Sequence, residues 1–135
     1  MMADDYYQRF LPASLSNVTF DDMILGVPVE NTAVAIFYYD RQMFEEYGLT
    51  APETWDELLE VAQVLLDNGI RPFSMANAGK WPSSMWYMYL VDRIGGSDVF
   101  ASAANRLGGT FEDPAFVQAG EMIQELVEMG AFIEG

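Results

Sequence analysis

Pro52-Glu53-Thr54-Trp55-Asp56-Glu57-Leu58-Leu59 carries a complete helix-start signal. The Thr54 hydroxyl can accept from the backbone N–H three residues on, and the Glu57 carboxylate can reach back to the N–H of Thr54. Trp55, Leu58, Leu59, Ala62, Leu65 and Leu66 follow at helical spacing, which predicts one buried face. Asn68-Gly69 closes the helix, and Ile70 is placed to touch its last turn.

Upstream, Asp40 caps a short helix over Arg41–Tyr47 that Gly48 ends. Before it, Ala33-Val34-Ala35-Ile36-Phe37-Tyr38-Tyr39 is β-branched, aromatic and almost continuously apolar, the pattern of a strand covered on both faces. Met23 to Val29 reads as a further extended segment, with Pro28 marking an edge or a crossing between sheets. Asn17 to Asp22 reads as a loop, and Tyr6 to Leu11 as a short helix that stops before Pro12.

Downstream, Arg71 to Ala76 reads as a strand and Asn77-Ala78-Gly79-Lys80 as a turn. Trp81-Pro82 opens an apolar helix whose Met85, Trp86, Met88, Tyr89 and Leu90 cover most of its circumference, which predicts burial. Gly95-Gly96 stops it, and Ser97 caps a small helix through Ala104. Gly108-Gly109 lies in a loop, and Asp113-Pro114 starts a last helix whose apolar side is Val117, Ile123, Leu126 and Val127. The succession of strands and helices predicts an α/β, helix-rich fold.

Bulk composition narrows the function. The 135 residues are 51% hydrophobic and 20% charged, the balance of a globular chain that buries its own core. With 21 acidic against 6 basic side chains the net charge is −15, so nucleic acid and anionic membrane surfaces are poor partners. Cys and His are both absent, which removes thiol nucleophiles, a Ser-His-Asp triad, disulfides and zinc sites of the usual donor types. No cofactor is implied. No stretch is long and apolar enough to span a bilayer, and the opening Met1-Met2-Ala3-Asp4-Asp5 does not read as a secretory signal.

The ordered motifs carry a resemblance. Gly26-Val27-Pro28, then Ile36-Phe37-Tyr38-Tyr39-Asp40-Arg41-Gln42-Met43-Phe44, Tyr47-Gly48-Leu49 and Pro52-Glu53-Thr54-Trp55-Asp56-Glu57-Leu58-Leu59 resemble the family 1 extracellular solute-binding proteins of ABC importers. Trp81-Pro82, Gly95-Gly96 and Phe111-Glu112-Asp113-Pro114 fit the same order. Asp40 stands where that family usually has Asn, and Arg41-Gln42 where Lys-Asp is common. The resemblance implies a type II periplasmic-binding-protein fold, with two lobes that close on a ligand by hinge motion. On that reading residues 1–22 are a lead-in segment and 23–135 are part of the second lobe, so that the chain is a central piece of a longer receptor. The implied partners are a mono- or oligosaccharide and an ABC permease. The implied setting is extracellular or periplasmic, and the implied role is non-catalytic.

Sugar sites combine aromatic faces with polar groups that take hydroxyls. Asn77, Lys80 and Trp81 lie between a predicted strand and a helix, where α/β folds place ligands. Trp81 would stack on a sugar ring, with Asn77 and Lys80 bonding hydroxyls; the plainer alternative makes Trp81 a hydrophobic staple of its helix. Glu30, Asn31 and Thr32, just past Pro28, form a second candidate or else an ordinary polar turn. Trp86 is a further candidate whose apolar neighbours favour a core role. Glu53, Asp56, Glu57 and Glu60 could suggest a carboxylate pair of a carbohydrate-acting enzyme. Capping and the positive end of the helix account for the same residues. A third reading is a self-associating module without ligand. Apolar surface left uncovered would then pair copies of the chain into a homo-oligomer, by exchange of segments.

Overall fold

The structure, a computed structural model, describes residues 6–30, 36–75, 77–79 and 81–133. Its packing divides the chain into two units, Met1–Val34 and Ala35–Gly135.

The first unit begins with a 3-10 turn at Tyr7–Arg9, shorter than the helix expected there, and then α1, Pro12–Ser16, with proline in its first turn. The Thr19 hydroxyl donates to the carbonyl of Leu15 at 2.7 Å, tying the end of α1 to β1 (Thr19–Phe20). β1 pairs antiparallel with β2 (Met23–Ile24), Phe20 opposite Met23. The intervening Asp21 and Asp22 both take positive φ, 47° and 60°, the backbone of the two-residue turn that matches strand twist. The segment read as a loop therefore holds a strand and a hairpin turn, and aspartate makes this possible because it tolerates the left-handed region. The strand expected through Val29 ends at Ile24, and Leu25 adds one further bond to the carbonyl of Val18 at 2.9 Å.

In the second unit, α2 (Arg41–Glu46) begins where the Asp40 carboxylate accepts from the N–H groups of Gln42 and Met43 at 2.8 and 3.2 Å. α3 (Trp55–Asp67) carries the full capping box. The Glu57 N–H donates to the Thr54 hydroxyl at 3.2 Å, and Thr54 N–H donates back to the Glu57 carboxylate at 3.3 Å. Gly69 at φ 75° ends it, with Ile70 N–H donating to the Leu65 carbonyl at 2.9 Å, the Schellman pattern. α6 (Pro114–Glu128) ends in the same way. Gly130 has φ 72°, and Ala131 N–H donates to the Leu126 carbonyl at 3.0 Å.

Between them lie α4 (Trp81–Gly95) and α5 (Ser97–Ala104). α4 packs against both α5 and α6. The core there is Leu90, Val91, Ala103, Ala115, Phe116 and Ala119, bordered by Trp55, Tyr87, Ile94, Val99, Phe100, Met122 and Ile123. Small residues set the spacing. A Cβ on Gly95 would come within 2.9 Å of the Ala115 methyl, so α6 approaches α4 as closely as glycine allows. The Tyr87 hydroxyl, half-buried, donates to the Phe116 carbonyl at 3.1 Å.

Several expectations are corrected. α6 buries Ala115, Phe116, Ala119 and Leu126, whereas Val117 and Val127 face outward. Close packing selects small side chains over hydrophobic bulk. α5 is preceded by Gly96 at φ 83° with no side-chain cap, so Ser97 is its first residue and not its cap. α4 buries Leu90 and Val91 but leaves Met88 and Tyr89 exposed, because α5 and α6 cover only one side of it. Of the strand expected over 71–76, residues 71–75 hold one parallel bridge, Phe73 with Phe132, and Ala76 lies outside the described residues. Phe73 N–H donates to the Ala131 carbonyl at 2.9 Å, and Ile133 N–H donates to the Phe73 carbonyl at 3.0 Å.

The largest departure is the apolar segment before α2. Residues 33–35 lie outside the described residues. Ile36 to Tyr39 form no ladder and are exposed, Tyr38 to 88%. A strand covered on both faces needs neighbours for its backbone and its side chains, and the described residues place no strand beside this one. Helix-richness is thus observed, while among the described residues the sheet share is a two-stranded ladder in the first unit and an isolated bridge in the second.

Candidate functional site

The second unit carries an aromatic groove of about 490 Å³. One helix face supplies Pro82, Met85, Trp86 and Tyr89, at the spacing i, i+3, i+4, i+7 that aligns side chains along α4. The extended segments Ile36–Tyr38 and Pro72–Met75 supply the opposite side. Among the described residues no charged side chain lines it.

Trp86 is the hub of this groove. Its indole meets Phe37 edge-on at 4.9 Å between centroids, Phe73 at 5.3 Å and Phe132 at 5.7 Å. Edge-to-face contacts of this kind add to the burial of the rings. The Arg71 guanidinium ties the start of the Pro72–Met75 segment to the stretch after α6 by donating to the carbonyls of Gly130 and Phe132 at 3.0 and 3.1 Å. The half-buried Trp86 is thus both a packing centre and a groove-lining ring.

Trp81 is different. It is the first residue of α4 and is 62% exposed. Its backbone is fixed by the Ser84 hydroxyl, which donates to the Trp81 carbonyl at 2.6 Å. The indole lies close to Gly79, the end of the 3-10 turn Asn77–Gly79. A Cβ there would sit 3.2 Å from its Cδ1 and 3.3 Å from its Nε1. An indole that open is a weak staple and an available stacking surface. Asn77 begins the turn, although its side chain, like the whole of Lys80, lies outside the described residues. So do Asn31 and Thr32 of the second candidate, while Glu30 is exposed in the first unit.

Sequence reasoning missed the groove partners Phe37, Phe73, Met85 and Tyr89. The signal was present in the spacing of Pro82, Met85, Trp86 and Tyr89, but burial was the simpler reading of so apolar a helix.

The acidic residues sort differently. Glu57 folds back on the start of α3, its carboxylate accepting from Glu53 N–H at 2.7 Å as well as from Thr54. The carboxylate-pair reading loses its main support there. A second hollow of about 680 Å³ lies beside α6, lined by Asp56, Glu121, Glu125 and Glu128 with Trp55 and Met122. Trp55 Nε1 donates to the Glu125 carboxylate at 3.1 Å. Among the described residues no group of three or more acidic side chains is arranged to hold a metal ion. No helix among them is long and apolar enough to cross a membrane.

A profile of bacterial extracellular solute-binding proteins matches residues 2–133. The chain belongs to that family. This solute-binding protein is 29% identical over 90 residues to an uncharacterized ABC transporter extracellular-binding protein of Pyrococcus horikoshii, covering 65% of the chain and 20% of the relative. It is 28% identical over 120 residues to the diacetylchitobiose binding protein NgcE of Streptomyces coelicolor, covering 87% and 25%. It is 30% identical over 83 residues to the multiple sugar-binding protein of Streptococcus mutans, covering 62% and 19%. The chain spans about a fifth to a quarter of the length of these curated relatives.

Proposed function

We propose that this solute-binding protein captures a mono- or oligosaccharide without chemical change and passes it to the permease of an ABC importer, on the outer side of the membrane. The observation that carries the reading is the open indole of Trp81, the first residue of the helix that supplies one side of an aromatic groove, in a chain of this family. The pyranose ring has an apolar face that stacks on an indole and hydroxyls that bond to polar groups around it. Trp81 is the stacking platform, with Asn77 and Lys80 as hydroxyl partners. Trp86 lines the groove, and Glu30, Asn31 and Thr32 of the first unit are a separate set of candidate polar contacts. Relatives named for diacetylchitobiose and for multiple sugars support the substrate class.

On this reading residues 23–135 form part of the second lobe of a two-lobed receptor, after a lead-in over residues 1–22. The ligand is held between lobes that close on it. One wall supplies part of the contacts, so the 135-residue chain alone binds weakly and instead pairs with its own copies through uncovered apolar surface. The test is isothermal titration of the full-length protein with a panel of neutral oligosaccharides. Binding of at least one sugar is expected, and Trp81→Ala should weaken it about tenfold, equivalent to about 1.4 kcal/mol. Binding of peptides with no sugar bound overturns the assignment.

A further inference from the structure

We infer that Gly79 is a positioning residue for the sugar platform: its lack of a side chain lets the turn lie close to Cδ1 and Nε1 of the Trp81 indole and so sets the attitude of a ring that stays open to ligand. The inference rests on the sugar-binding reading and adds to it the residue that sets the attitude of the ring. Trp81 is the most exposed of the chain's three tryptophans: Trp55 and Trp86 are half-buried, whereas 62% of Trp81 is open. A side chain so exposed loses rotamer freedom when it binds, unless something already fixes it. Two features do. The Ser84 hydroxyl clasps the Trp81 carbonyl at 2.6 Å, which fixes the backbone at the start of α4. The turn Asn77–Gly79 then brings the Gly79 Cα against the indole, at a spacing where a methyl would stand 3.2 Å from Cδ1 and 3.3 Å from Nε1. Carbon atoms at rest prefer roughly 3.5–4.0 Å, so any side chain at 79 pushes on the ring. The ring gives way, because solvent and not packing lies on its free side. Glycine is thus the residue that permits the close approach, and no left-handed backbone is needed to explain it.

A ring held close at Cδ1 and Nε1 and otherwise open has surface left on which a sugar unit can stack. Displacing it by a few tenths of an ångström, or turning it, spoils the stacking while the fold stays intact. The experiment is a graded series, Gly79→Ala and Gly79→Leu, in the full-length protein, followed by the indole N–H resonances and by titration with the oligosaccharide that binds best. Trp81→Phe identifies the Trp81 resonance by its loss. The expected result is a shift of that resonance alone, larger for Leu than for Ala. Sugar affinity should fall about threefold for Ala and about tenfold for Leu, at unchanged melting temperature. A Trp81 resonance that stays in place in both variants, with sugar binding intact, overturns the positioning role and leaves the binding reading standing. A resonance that moves while affinity stays unchanged overturns the positioning role and the place of Trp81 as platform, and leaves sugar capture standing. Absence of sugar binding in the unaltered protein overturns the reading and the inference together.

Discussion

Two tryptophans five residues apart show how one residue type takes opposite roles. Trp86 touches three phenylalanines across three segments of the second unit, whereas Trp81 rests on a glycine and faces solvent. Trp86→Ala removes the hub and should cost about 3 kcal/mol, the low end for aromatic truncation because the ring is only half-buried. Trp81→Ala should change stability by less than about 0.5 kcal/mol, as for an exposed residue, while weakening sugar binding. Urea unfolding of both variants checks the contrast, and equal losses would deny it. Gly109 is a different case from Gly79. A Cβ there would stand 2.7 Å from the Ala103 backbone nitrogen and 2.9 Å from the Ser102 carbonyl carbon, and neither can swing aside. Gly109→Ala should therefore destabilise by about 1–3 kcal/mol, the usual range for overpacking. A melting temperature equal to the parent's would show that the end of α5 yields more easily than its backbone contacts suggest.

Element boundaries divide by how local their causes are. The starts of α2, α3 and α6 and the glycine end of α3 were legible, because each cap is made by residues within a few positions of one another. Thr54→Ala should cost about 1 kcal/mol, the usual loss for an N-cap, and thermal unfolding of that variant measures it. An additional Glu57→Ala in the same chain should add less than its single effect, since the two side chains serve one box. The strands were legible only as composition. Ile36 to Tyr39 have the residues of a strand, yet a strand exists only where another backbone answers it. Phe73 found one such partner in Phe132, a pairing across most of the second unit that no local pattern announces. The buried face of α6 was misread for a related reason. Hydrophobicity pointed to Val117 and Val127, but the tight approach of α4 favours Ala115 and Ala119. At the candidate site the sequence singled out Trp81 and Trp86. It set Trp86 nearer the core from its apolar neighbours but did not show that Trp86 also lines a groove, because exposure is decided by what lies alongside α4.

At the scale of the molecule, opposed forces act between copies. The net charge of −15 drives chains apart, while the exposed Ile36 to Tyr39 segment, uncharged and free of proline, invites edge-to-edge pairing. Salt decides between them, since screening shortens the reach of repulsion from roughly 30 Å at about 0.01 M to roughly 3 Å at about 1 M. Sedimentation velocity of the 135-residue chain should show larger species as salt rises, and Tyr38→Lys should suppress them. A monomer at every salt concentration would remove the self-association proposal. The core of the second unit has its own consequence for timing. α4, α5 and α6 follow one another in the chain, so their packing closes short loops and belongs to the fast regime of folding. Pairing of the extended segments, Phe73 with Phe132 among them, spans far more chain and comes later. A newly made molecule therefore passes through an interval with its helices assembled and its strand-forming stretches still bare, and that interval is when a chaperone would have most to protect.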